Sequence, residues 1–154
     1  ILYIWVYITL FSIVLIMPDT LFTVFLSMGY FILLLYLPNI IWVYEGDINI
    51  VDLLKGRHRL AKRTLNSELA SSAFENYKET YPIFLFLSVL GITMGIPIHT
   101  AALIWLILRL VNGFSYLYDL NWIRTVSWHL SLLCLLWMSI EIIRLNRLTM
   151  FTHF

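Results

Sequence analysis

Apolar residues run along this chain in long blocks, and polar residues merely punctuate them. From Ile1 to Tyr44 the only formal charge is Asp19, set in Pro18-Asp19-Thr20, and from Thr80 to Leu108 there is none. A bilayer core about 30 Å thick takes about 20 apolar residues of helix to cross. The blocks predict five helical segments, at residues 1–17, 21–44, 68–95, 98–118 and 122–143. Pro18-Asp19, the polar stretch 45–66, Gly95-Ile96-Pro97 and Asp119-Leu120-Asn121 separate them, with the residue types that end helices and form turns. The runs are too long for strands and lack period-2 alternation, so the chain reads as all-α. Pro82 within the third segment predicts a kink or widened turn in an otherwise continuous span.

Composition places these helices in a membrane. Of 154 residues, 61% are hydrophobic and 12% charged, where a soluble domain has about 45–50% and about 25%; the mean hydropathy is +0.87. A soluble globular domain and a disordered chain are excluded. So is a nucleic-acid binder, because a net charge of +1 provides no field for a polyanion. The chain reads as a single membrane domain, 1–154, in contact with lipids. Residues 1–17 lack the basic flank and small-residue cleavage site of a signal peptide, so they read as an extra membrane anchor at the periphery of a core spanning 21–143.

The connector 45–66 carries Lys55, Arg57, His58, Arg59, Lys62 and Arg63 after Glu45, Asp47 and Asp52. It reads as a topology-setting loop whose cations sit at the lipid headgroups. His58, His99, His129 and His153 have no metal-site spacing, and the single Cys134, among leucines, reads as a packing residue.

Polar side chains inside the spans carry the candidate chemistry, because an ionisable group there costs about 2.5–3.5 kcal/mol on insertion scales. The third segment holds Asn76 and Glu79, an i,i+3 pair on one face. The fourth holds Arg109 and, seven residues on, Tyr116; the fifth begins with Arg124. At 1.5 Å per residue Glu79 and Arg109 both lie roughly 15 Å from the basic side, and Arg124 stands at the mouth on that side. Two readings follow from this spacing. The groups form one pocket for a small polyanionic ligand, with guanidiniums on carboxylates and Glu79 on an ammonium. Alternatively, Glu79 and Arg109 form a buried ion pair that satisfies only each other.

The order of these residues resembles the MAPEG family, the membrane-associated proteins of eicosanoid and glutathione metabolism. The stretch Ser72-Ala73-Phe74-Glu75-Asn76-Tyr77-Lys78-Glu79-Thr80-Tyr81-Pro82-Ile83-Phe84 is similar to the family's second-helix signature, R-A-x-x-N-x-x-E followed by proline and phenylalanine. Leu108 to Leu117, then Arg124-Thr125-Val126-Ser127-Trp128, resemble its third helix and the start of its fourth. The resemblance implies a polytopic transmembrane four-helix bundle, here with one additional N-terminal transmembrane helix. It implies a homotrimer binding glutathione between protomers, with Asn76, Glu79, Arg109 and Tyr116 at glutathione-contacting positions. Arg124 matches the catalytic arginine that stabilises the thiolate, as a cation beside a thiol does. Ser72 stands where the family signature has arginine, and residues 21–44 contain none where several catalytic members carry one.

Two functions are therefore expected. One is a glutathione-dependent transferase or peroxidase acting on lipophilic substrates, as a homotrimer in an endoplasmic reticulum-type membrane. The other is a non-catalytic, supernumerary subunit among unlike membrane subunits. A mitochondrial respiratory complex of the inner membrane would suit it, since a composition rich in Ile, Leu, Phe and Tyr but poor in Ala is what an A+T-rich genome such as a mitochondrial one encodes.

Overall fold

The computed structural model of the protein describes residues 19–46 and 63–152. The extra helix expected at 1–17 and most of the basic connector lie outside them. Every regular element among the described residues is an α-helix: α1 (Asp19–Glu45), α2 (Leu65–Thr93), α3 (His99–Leu117) and α4 (Asn121–Thr152). These are the second to fifth expected segments, and together they form the expected four-helix membrane bundle. α1 pairs chiefly with α2 and α3 with α4, while α2 packs on all three of the others.

Local chemistry sets the ends of α2. Thr64 is its N-cap, and its hydroxyl oxygen accepts from the Ser67 N–H at 3.4 Å. Glu68 lies in the first turn, facing the positive end of the helix dipole. The helix runs unbroken through Pro82 to Thr93, as the reading of one continuous span requires. Its C-terminus is a Schellman turn: Gly95 has φ 67°, Ile96 N–H donates to Gly91 O at 2.9 Å, and Gly95 N–H donates to Ile92 O at 3.2 Å. α3 ends in the same way, with Asp119 (φ 52°) in the left-handed position and Leu120 N–H donating to Ser115 O at 2.8 Å.

Three of the four helices are long and apolar enough to cross a membrane: Thr20–Glu45, His99–Leu117 and Asn121–Arg147. α2, at 29 residues, is long enough as well. Its first half carries Glu68, Glu75, Lys78 and Glu79, so its apolar stretch begins only at Thr80. Lipid-type side chains cover the outside of the bundle, with Phe25, Leu33, Phe86, Leu136 and Ile140 all exposed. Such a surface suits hydrocarbon rather than water.

The interior combines an aromatic cluster with aliphatic side chains such as Leu34, Leu106, Met138 and Ile142 and with small residues. Phe84 stacks on Trp105 with ring centroids 3.9 Å apart and planes at 5°, and Tyr77 contacts Tyr30, Phe31, Tyr81 and Trp105. Between the helices lie buried Ser27, Ser67, Ser115, Ser127 and Ser131, which allow the close backbone approach that membrane bundles rely on. Ser27, Ser115 and Ser131 donate to the carbonyl three residues back in their own helix. Ser67 instead reaches across to Pro38 O at 2.8 Å and so docks α2 on α1. Cys134 is buried in the core, as a packing residue should be.

Candidate functional site

The polar face of α2 produces the site. Glu68, Ser72, Glu75, Asn76 and Glu79 fall at i, i+4, i+7, i+8 and i+11, which is one stripe of a helix. They line a cleft of about 430 Å³ together with Ser71, Arg63 just before α2, and Tyr116 from α3. Of the expected site residues, Asn76, Glu79 and Tyr116 meet in this cleft. Neither Arg109 nor Arg124 is among its lining, so the two guanidiniums expected in the pocket stand outside it.

Arg109 is 1% exposed. Its Nη2 donates to the main-chain carbonyl of Asn76, and its guanidinium carbon lies 5.4 Å from the centre of the Tyr77 ring. Nε and Nη1 are buried without a hydrogen-bond partner, as is Asn76 Oδ1. Glu79 acts on Arg109 electrostatically but is itself exposed, and no ion pair joins the two among the described residues. The reading of a buried Glu79–Arg109 pair is thus corrected. Glu79 is exposed and lines the cleft, whereas Arg109 is held by a backbone carbonyl and an aromatic face. From α1, Tyr30 donates its hydroxyl to Arg109 O at 3.4 Å and packs edge-on against Tyr77 at 5.2 Å.

Arg124 is half-buried. Its guanidinium lies 4.7 Å from the centre of the Tyr116 ring and donates to Asn121 Oδ1, one turn back on α4. The backbone beneath it is pinned by Asn112 of α3, whose Nδ2 donates to Arg124 O at 2.9 Å and reaches Ser127 Oγ at 3.3 Å. Asn112 is 2% exposed, so this clamp sets where the start of α4 stands relative to Tyr116.

The sequence reading missed Arg63, Glu68 and Glu75 as cleft residues. The i+4, i+7 and i+11 spacing from Glu68 was the signal for the two acids. Arg63 carries no such signal, because the connector's many cations look alike. Glu75 is neutralised at the rim by Lys78 at 2.7 Å, which also lies 5.0 Å over the Phe74 ring. His129 lies elsewhere on α4, with Nδ1 2.8 Å from Thr125 O.

The sequence profile of the MAPEG family matches residues 20–144. The chain belongs to this family. No curated protein and no solved structure gives a significant match. The MAPEG match begins one residue into α1 and ends within α4, so it takes in every wall of the cleft. As a MAPEG protein with exposed apolar helices, the chain is an integral membrane protein in contact with lipid, of a family tied to eicosanoid and glutathione metabolism.

Proposed function

We propose that the cleft on α2 binds glutathione and that the protein is a glutathione-dependent transferase or peroxidase acting on lipophilic substrates from the bilayer. One observation carries this reading: Asn76, Glu79 and Tyr116 line a single cleft, with Arg124 stacked on the Tyr116 ring. The groups present fit the ligand. Glu79 is an exposed carboxylate for the ammonium group, and Asn76 lines the same cleft beside it. Arg124 is a partly solvated cation that favours a thiolate over a thiol beside Tyr116. Glutathione supplies the nucleophilic or reducing sulfur; the protein orients it, keeps the proton off it and admits the apolar partner between exposed helix faces. MAPEG members are often trimers, and the proposed active form here is a homotrimer.

Thermal unfolding of the full chain in detergent tests this. Glutathione at a hundredfold over its dissociation constant stabilises by about 2.7 kcal/mol, so the melting temperature should rise, and Glu79→Gln should remove most of that rise. No shift at millimolar glutathione would reject the reading.

The second reading, a non-catalytic subunit among unlike membrane subunits, is favoured by the charge of the cleft. Three carboxylates, Glu68, Glu75 and Glu79, line the cleft with Arg63 as its one lining cation among the described residues. Lys78 pairs with Glu75, and Ser72 donates its hydroxyl back to Glu68 O at 3.0 Å instead of offering a cation. Purification from the native membrane discriminates: co-purification in fixed ratio with unlike subunits supports this reading, and a homotrimer opposes it.

A further inference from the structure

We propose that Arg63 is the residue that anchors the glycyl carboxylate of glutathione in this protein, where the family signature's arginine is replaced by Ser72. This rests on the glutathione reading of the cleft. Arg63 is the only cation lining the cleft among the described residues. It is also held ready: its Nη2 donates to Asn39 Oδ1 at 3.5 Å, and its guanidinium carbon lies 5.4 Å from the centre of the Trp42 ring, both on α1. A guanidinium has five N–H donors in a planar fork that matches a carboxylate. Its hydrogen bond among the described residues uses one of them, so a bidentate contact with a ligand remains open.

The geometry of α2 selects which carboxylate this is. Glutathione has its ammonium and one carboxylate at the γ-glutamyl end and its second carboxylate at the glycyl end. In the proposed pose the ammonium sits at Glu79 and the peptide extends along the cleft, whose lining continues toward the N-terminus of α2. From Glu79 back to Ser72 is seven residues, about 10 Å of helix, which is close to the length of an extended tripeptide. The far carboxylate then arrives among Ser72, Ser71 and Glu68, none of which can hold an anion as a cation does. Arg63 reaches the same cleft from the end of the connector and supplies the one positive charge there.

Calorimetric titration of the full chain in detergent with glutathione and with its glycyl ethyl ester tests the assignment. Wild type should bind the ester about tenfold more weakly than glutathione, because a charged hydrogen bond is lost. Arg63→Gln should weaken glutathione by about the same factor and leave the ester within about twofold, while Arg63→Lys should recover part of the loss. Arg63→Gln combined with Ser72→Arg should restore glutathione binding toward wild type. Equal weakening of both ligands by Arg63→Gln, or none of either, overturns the assignment while the glutathione reading stands. Absence of binding to either ligand by wild type overturns both. The ligand-free melting temperature of Arg63→Gln should fall by no more than about 4 °C, since only a long hydrogen bond and a partly exposed cation–π contact are lost.

Discussion

The guanidinium of Arg109 is bound to the main-chain carbonyl of Asn76, not to the carboxylate of Glu79. The helix that lines the cleft is therefore tied at residue 76 to a cation on α3 that never reaches the cleft. Removing that cation takes from the carbonyl its charged second donor, beyond the helix's own, and opens a void beside Tyr77. Arg109→Ala should destabilise the protein by on the order of 2–4 kcal/mol, from a lost charged hydrogen bond plus the cavity. Glu79→Gln should change stability by no more than about 0.5 kcal/mol, as for an ordinary exposed position. Chemical or thermal unfolding in detergent measures both; equal losses would mean that the two residues are an ion pair after all.

Gly113 and Tyr30 are the second coupled pair. A Cβ at 113 would lie 1.9 Å from the Tyr30 hydroxyl oxygen and 3.2 Å from Cζ, and that hydroxyl is tied to Arg109 O. Gly113→Ala should cost about 1–3 kcal/mol by overpacking. Tyr30→Phe removes the oxygen that clashes, so the double variant should be more stable than the sum of the two changes predicts. Simple additivity in unfolding experiments would show that the ring swings away freely and that the contact does not hold α1 against α3.

How much of this was legible beforehand follows from periodicity. The four described helices follow directly from apolar runs and the Pro, Gly and Asp breaks, and Asn76, Glu79 and Tyr116 converge as their depths along two antiparallel helices require. Depth alone does not fix rotation about the helix axis. Glu79 and Arg109 lie at matching heights, yet one faces the cleft and the other the interior, because Arg109 shares the inward face of α3 with Trp105 and Asn112. Which backbone atom a buried guanidinium will find, here Asn76 O, has no sequence signature. The polarity of the first half of α2 was visible in Glu68, Glu75, Lys78 and Glu79, but its meaning as one wall of a cleft needed Arg63 and Tyr116 beside it.

Asp119 occupies a left-handed position (φ 52°) at the C-terminus of α3, where glycine is the residue of least cost. It is exposed, so its side chain gains nothing from burial. Asp119→Gly should stabilise the protein by about 1 kcal/mol, since the left-handed conformation costs a residue with a Cβ about 1–2 kcal/mol and the greater freedom of unfolded glycine offsets part of that. A drop in melting temperature instead would assign the Asp119 carboxylate a stabilising partner.

Arg124 and Tyr116 allow structure and chemistry to be separated at the site. The guanidinium lies on the ring face at 4.7 Å and has a second hold on Asn121 of its own helix, while the backbone beneath it is fixed independently by Asn112. A cation–π contact at a partly exposed position contributes about 0.5–1 kcal/mol, so Arg124→Ala should leave the fold intact and lower stability by no more than that. It should nevertheless abolish the ultraviolet thiolate absorbance of bound glutathione, because the cation that favours the ionised sulfur is gone. Tyr116→Phe keeps the ring face and should retain the thiolate signal, whereas Tyr116→Leu leaves the guanidinium free to swing to solvent and should reduce it. Thiolate absorbance that survives in Arg124→Ala at saturating glutathione would remove Arg124 from the chemistry and leave it as a surface cation stacked on a tyrosine.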